Sequence, residues 1–114
     1  MSTKKIYLIG FSVGATVSWL CSEEDCLDGV VAYYGSRIRN YQQIVPQCPT
    51  VLFFPEEEPS FHVNQLISNL AQKNIEIHKF KGQHGFSDPY SSKFNNESSQ
   101  NAFKEMLSFL KKHH

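Results

Sequence analysis

The chain has 114 residues, enough for one domain with a real core. Eleven Lys and Arg balance eleven Asp and Glu, so the formal net charge is zero and no field draws in nucleic acid or an anionic membrane. Three cysteines, Cys21, Cys26 and Cys48, are odd in number and show no paired spacing, which reads as reduced thiols in a cytoplasmic protein, and no apolar run approaches the roughly 18 residues of a membrane span.

Ile6 to Ile9 form an unbroken apolar run, expected as a strand covered on both faces in a parallel sheet. It runs into Gly10-Phe11-Ser12-Val13-Gly14, a Gly-x-Ser-x-Gly pentapeptide, and a helix-like stretch from Ala15 to Cys21 follows, short and largely buried. Strand, sharp turn and helix in that order are the context in which this motif presents a nucleophilic serine. Gly10 and Gly14 are expected to lack the Cβ atoms that would strike adjacent backbone. Glu23, Glu24 and Asp25 belong to the solvated turn beyond the helix.

Gly29 to Gly35, β-branched and aromatic between two glycines, is a second strand whose C-terminal end should lie beside Ser12. Ser36 to Cys48 is weakly patterned and holds only a short helix or an irregular crossover. Pro49 to Phe54 is a third strand, ended by Pro55. Glu56, Glu57 and Glu58 follow it, at the edge where a parallel sheet delivers residues to a ligand. Val63, Leu66, Ile67 and Leu70 mark one face of a helix running to about Lys73, with Ser60 as its cap. Ile75 to Phe80 alternates more than the earlier strands, which places it at a sheet edge. Lys81 to Phe86 is a loop carrying His84 among glycines. After the polar stretch Ser87 to Asn96, a last helix shows the apolar stripe Phe103, Met106, Leu107 and Leu110, widened by Ala102 and Phe109, with Asn96 as its cap.

This order predicts an α/β fold, a parallel sheet of about four strands flanked by helices. Right-handed crossovers put the connecting helices on one face, so the C-terminal helix must cross to the other. Trp19 and the phenylalanines read as core. His62 and His78 read as surface residues with no second ligand at metal spacing, so no metal is expected.

In combination and in chain order, Gly10-Phe11-Ser12-Val13-Gly14-Ala15, Val30 to Gly35, Leu52 to Phe61, Gly82-Gln83-His84-Gly85-Phe86 and Ala102 to Leu110 resemble the dienelactone hydrolase family of the α/β-hydrolase superfamily. The resemblance covers nearly the whole chain but only the second half of the family fold. It implies a single α/β-hydrolase-like domain over residues 1–114, a truncated three-layer sandwich without the usual N-terminal strands. It also implies hydrolysis of an ester or lactone of a small molecule without a cofactor. Carried over by position, Ser12 matches the nucleophile, His84 the general base and Glu58 the acid that orients it; Glu56 and Glu57 remain alternatives for the acid. The dienelactone hydrolases proper carry cysteine at the nucleophile, so Ser12 points to esterase-like relatives. The Val13 backbone N–H, at the start of the helix, would be one oxyanion donor. A second normally comes from a loop after an earlier strand.

With only half of that fold, the strand Ile6 to Ile9 would be an uncovered edge and one sheet face would be covered by a single helix. A homo-oligomer formed through that edge strand is one remedy and an N-terminal part of a larger protein is another; a dimer or larger species is the expectation. A non-catalytic truncated module that acts through self-association or as part of a larger protein is the alternative reading of the whole chain.

Overall fold

The computed structural model describes residues 4–59, 61–71, 73 and 75–114. In chain order it contains β1 (Tyr7–Phe11), α1 (Val13–Cys21), β2 (Gly29–Tyr33), a 3-10 helix (Ser36–Asn40), β3 (Thr50–Glu57), α2 (Val63–Leu70), β4 (Glu76–Gln83) and α3 (Asn96–Lys112). The strands form one parallel sheet in the order β1-β2-β3-β4, with Leu8 beside Val30, Val31 beside Val51 and Phe53 beside His78.

Side chains alternate across the sheet and so feed two separate cores. On one face Ala32, Leu52 and Phe54 pack with Trp19, Ile38, Leu66 and Leu70 from α1, the 3-10 helix and α2. On the other, Val31, Tyr33, Val51 and Phe53 pack with Phe86, Ala102 and Phe109. Each fully buried aromatic or aliphatic side chain contributes about 1.5–3 kcal/mol. The central strand β2 is buried along its whole length, which explains its continuous apolar sequence. Among the described residues, α3 is the one helix that covers the second face, as the handedness of the crossovers requires.

Several elements depart from expectation. β3 does not stop at Pro55 but continues to Glu57; Pro55 stands beside Phe80, and the register shifts between Pro55 and Glu57, where the missing N–H interrupts the ladder. β4 likewise extends to Gln83, leaving a shorter loop before His84. The cap of α3 is Asn95, whose Oδ1 accepts the Ser98 N–H at 3.0 Å, one residue before the predicted Asn96. Ser60 lies outside the described residues; His62 occupies the capping position of α2 without a side-chain bond.

The larger departures concern the β1 side. Among the described residues β1 pairs with β2 alone, and only Gly10 of the strand is buried, so the strand is not covered on both faces. Ile6, Ile9 and Phe11 are 54, 41 and 48 % exposed. α1 buries Ala15, Thr16, Ser18 and Trp19 but leaves Val13, Val17 and Leu20 in solvent, one row at helical spacing instead of a largely buried helix. α3 is rotated relative to its predicted stripe. Ala102 and Phe109 are its deepest residues, fixed by a Ser98 hydroxyl bond to the Lys81 carbonyl, whereas Phe103 and Leu107 are about half exposed.

Candidate active site

Ser12 sits between β1 and α1 with φ 59 and ψ −117, backbone that a non-glycine residue adopts at a cost of about 1–3 kcal/mol. The turn is held from both ends. The Ser12 N–H donates to the Tyr33 carbonyl at 3.0 Å, and its own carbonyl accepts the N–H groups of Ala15 and Thr16 at 3.0 and 3.2 Å. Gly10 makes the turn possible: a Cβ there would overlap the Gly14 carbonyl and the Ser18 hydroxyl. The same expectation fails for Gly14, where an added Cβ would meet nothing within 4 Å. One glycine, not two, is sterically required.

The C-terminal ends of β3 and β4 deliver the other groups. Glu58 directly follows β3, and His84 directly follows β4, between Gly82 near the end of the strand at φ 123 and Gly85 in the turn at φ 87, left-handed conformations that suit glycine. His84 Nε2 lies 2.8 Å from Ser12 Oγ, and His84 Nδ1 lies 3.0 Å from Glu58 Oε2. The Glu58 side chain is 4 % exposed and the His84 side chain 35 %. With Nδ1 protonated towards the carboxylate, Nε2 has a lone pair free to receive the serine proton. Glu56 and Glu57 are exposed, and Glu57 accepts a bond from Gln83 at 3.2 Å. Of the three glutamates, Glu58 is the one bonded to His84. If the trio acts on an ester, Glu58→Gln is expected to lower its turnover by about 10²–10⁴-fold, while Glu57→Gln changes it less than about threefold. Steady-state rates of the two variants decide it, and the reverse ranking would reassign the acid.

The Val13 N–H, in the first turn of α1, belongs to the helix donors that have no intrahelical acceptor. It is therefore available to a developing negative charge beside Ser12.

An open cavity of about 450 Å³ surrounds Ser12 and His84 and is lined also by Phe11, Tyr34, Asp88 and Ser91. Tyr34 follows β2 with φ 42; its ring lies 5.0 Å from the imidazole of His84 and 5.2 Å from Phe86. Burial raises its phenol pKa, as does the charge of Asp88, and the Ser87 N–H partly offsets them. Placing the end of β2 beside Ser12 made Tyr34 findable in the sequence; Ser91, in an aperiodic loop, gave no such signal. Phe11 also lines the cavity, so not every phenylalanine is core.

Two other clusters lack this chemistry. A larger cleft of about 940 Å³ includes Cys48, Thr50, Glu76 and His113 but no serine paired to an imidazole, and burial pushes the Cys48 thiol pKa up, away from thiolate. His78 is half buried, contrary to its expected surface position. Its Nε2 lies 2.7 Å from Glu76 and 3.5 Å from Glu105, and Lys112 caps the other Glu76 oxygen at 2.8 Å. Burial pushes the Glu76 carboxyl up, but bonds from Lys112 and His78 outweigh it and hold the carboxyl below its ordinary range. Among the described residues no helix is long and apolar enough to cross a membrane.

A parallel sheet with helices on both faces, and a strained serine beside a histidine at its C-terminal edge, define a domain of the α/β-hydrolase type. The chain belongs to the dienelactone hydrolase family, whose profile matches residues 1–114. It is 50 % identical over 95 residues to the uncharacterized protein YczH of Bacillus subtilis, a match covering 81 % of this chain and 47 % of that protein. A "putative dienelactone hydrolase" from Klebsiella pneumoniae superposes with a TM-score of 0.75 at 16 % identity, over 90 % of this chain and 50 % of the other. Esterase 2 of Thermogutta terrifontis gives 0.65 at 15 % identity, over 94 % and 55 %. These likenesses in structure concern the fold. The chain spans about half the length of the curated relatives it matches.

Proposed function

We propose that this chain is a serine hydrolase acting on an ester or lactone of a small molecule, with Ser12 as nucleophile, His84 as general base and Glu58 as its orienting acid. The observation that carries the reading is the hydrogen-bonded chain from hydroxyl to imidazole to carboxylate, at 2.8 and 3.0 Å, on a serine held at φ 59. During attack on the carbonyl, His84 takes the Ser12 proton, Glu58 stabilises the imidazolium, and the oxyanion turns towards the Val13 N–H. Collapse breaks the ester bond, and His84 returns the proton to the departing alkoxide. Water, deprotonated by the same imidazole, then releases the acid and restores Ser12. These steps need no cofactor, and the three free cysteines suit a reducing cytoplasm. A fluorophosphonate probe tests the reading, since it labels an activated serine whatever the natural substrate. Modification of Ser12, located by peptide mass, is the expected result; an unlabelled folded protein would overturn it.

The proposal includes self-association through β1. Ile6, Ile9, Phe11, Val13, Val17 and Leu20, with Phe103 and Leu107 from α3, are all at least 36 % exposed. A stable interface of roughly 800 Å² per partner would be able to cover such exposed apolar side chains. A second copy meeting this edge about a two-fold axis would extend the sheet and cover these rows. Light scattering at micromolar concentration is expected to give a dimer or larger species, and Val17→Glu to give a monomer. A folded monomer of the unsubstituted chain would overturn the association.

The second reading, a non-catalytic module acting through self-association or as part of a larger protein, is favoured by one observation: the exposed apolar rows Ile6, Ile9 and Phe11 in or just before β1 and Val13, Val17 and Leu20 along α1. Probe labelling separates the two.

A further inference from the structure

The lining of the Ser12 cavity carries a charge that hydrolysis does not use. Asp88 borders the cavity, and its backbone is fixed by two turns, Asp88 N–H to the Gly85 carbonyl and Ser91 N–H to the Asp88 carbonyl, both at 3.0 Å. One carboxylate oxygen, Oδ1, accepts the Tyr90 N–H at 2.9 Å, which sets the orientation of the group. Among the described residues no Lys, Arg or His lies within ion-pair distance of it. The cavity lining contains no Lys or Arg at all. Arg39, on the 3-10 helix at the same end of the sheet, is turned away, donating to the Ser36 carbonyl and lying 5.0 Å from the centre of the Phe61 ring.

The same cavity is aromatic. Phe11 and Tyr34 stand with ring centres 6.2 Å apart, and both border the space in front of Ser12. Aromatic faces attract cations through their quadrupoles, and an uncompensated carboxylate attracts them by charge. Anionic groups meet both elements unfavourably, and Glu58, buried behind His84, adds negative charge in the same sense.

We propose that the Ser12 cavity selects esters that carry a positively charged amino or quaternary ammonium group, held by Asp88 and the rings of Phe11 and Tyr34. The assignment rests on the hydrolase reading above and narrows its substrate class. The charged group lies on the part of the ester away from the carbonyl, so the chemistry at Ser12 is unchanged and one ester bond is exchanged for one acid and one alcohol.

Matched esters test it directly: a short-chain acyl ester of choline, the 3,3-dimethylbutyl ester of the same acid, which has the same shape without the charge, and a carboxylate-bearing ester of similar size. At low ionic strength the choline ester is expected to show kcat/KM about fivefold to tenfold above its neutral isostere. The anionic ester should fall below the isostere by a similar factor. Raising salt to about 0.5 M should shrink both ratios, because the carboxylate is exposed. Asp88→Asn should bring the choline-to-isostere ratio close to one. Equal kcat/KM for the two isosteres, or a ratio that Asp88→Asn leaves intact, would overturn the proposal while leaving the hydrolase reading standing. Failure of the hydrolase reading looks different, with no ester turned over above buffer and no probe label on Ser12. In that case, binding of ethyltrimethylammonium, followed by NMR shifts of Phe11 and Tyr34 in the parent and in Asp88→Asn, decides the cation site. Shifts that Asp88→Asn abolishes support it; no shifts, or shifts that Asp88→Asn leaves intact, overturn it.

Discussion

Ser12→Ala is expected to reduce hydrolysis of a short-chain p-nitrophenyl ester to the rate in buffer, a loss of about 10³-fold or more, and to abolish labelling by a fluorophosphonate. The hydroxyl is 2.8 Å from His84 Nε2, and no other serine of the cavity has an imidazole at that distance. His84→Ala should cost a comparable factor, and the double variant little more than either single one, because nucleophile and base act in one step. That non-additivity separates a working pair from two residues that each merely support the fold. Folding is a small concern for the first variant: Ser12 makes its backbone bonds through N–H and carbonyl, which alanine keeps. Parent and Ser12→Ala turning over the ester equally would remove the enzymatic reading.

The sequence made the fold legible wherever both faces of an element are occupied. β2, buried throughout, is a continuous apolar run; α2 shows Val63, Leu66 and Leu70 buried at helical spacing. The order of strand, serine turn and helix could be read because Gly10 has no room for a side chain. What pattern could not report was which apolar rows lack a partner. Val17 and Leu20 look like core in a periodicity plot, yet they face solvent, because burial depends on what lies across the helix and not on its own spacing. The same holds for Phe103 and Leu107, where a hydroxyl bond from Ser98 and the small Ala102 set the rotation of α3. Among the site residues, the choice of Glu58 over its two neighbours depends on one further residue of chain after β3 has run through Pro55, a register detail that local sequence does not encode. His78 departs from its expected surface position for a similar reason. Its partners come from its own strand, Glu76, and from the distant helix α3, Glu105.

Among the glycines, Gly10→Ala should be the most destabilising change. The added Cβ would overlap the Gly14 carbonyl carbon and oxygen, and these are backbone atoms of α1 that no side-chain rotation can move. Ser18 Oγ, the third atom in the way, is itself bonded to the Gly14 carbonyl at 2.8 Å, so it cannot yield without losing that bond. Relief requires moving β1 away from α1, which are joined by the Ser12 turn. A loss of about 3 kcal/mol is expected, at the upper end of overpacking costs. For a domain of this size that lowers Tm by more than about 12 °C. The strain would also act on function, since the turn that breaks is the one holding Ser12 at φ 59 within reach of His84. Gly14→Ala is the matched control. Nothing lies within 4 Å of its new Cβ, and the residue is already helical, so a gain of about 0.5 kcal/mol is expected from the reduced freedom of the unfolded chain. Thermal melts of the two variants side by side give the answer. If Gly10→Ala melts within a few degrees of Gly14→Ala, β1 and α1 are not packed as closely as the Ser12 turn requires.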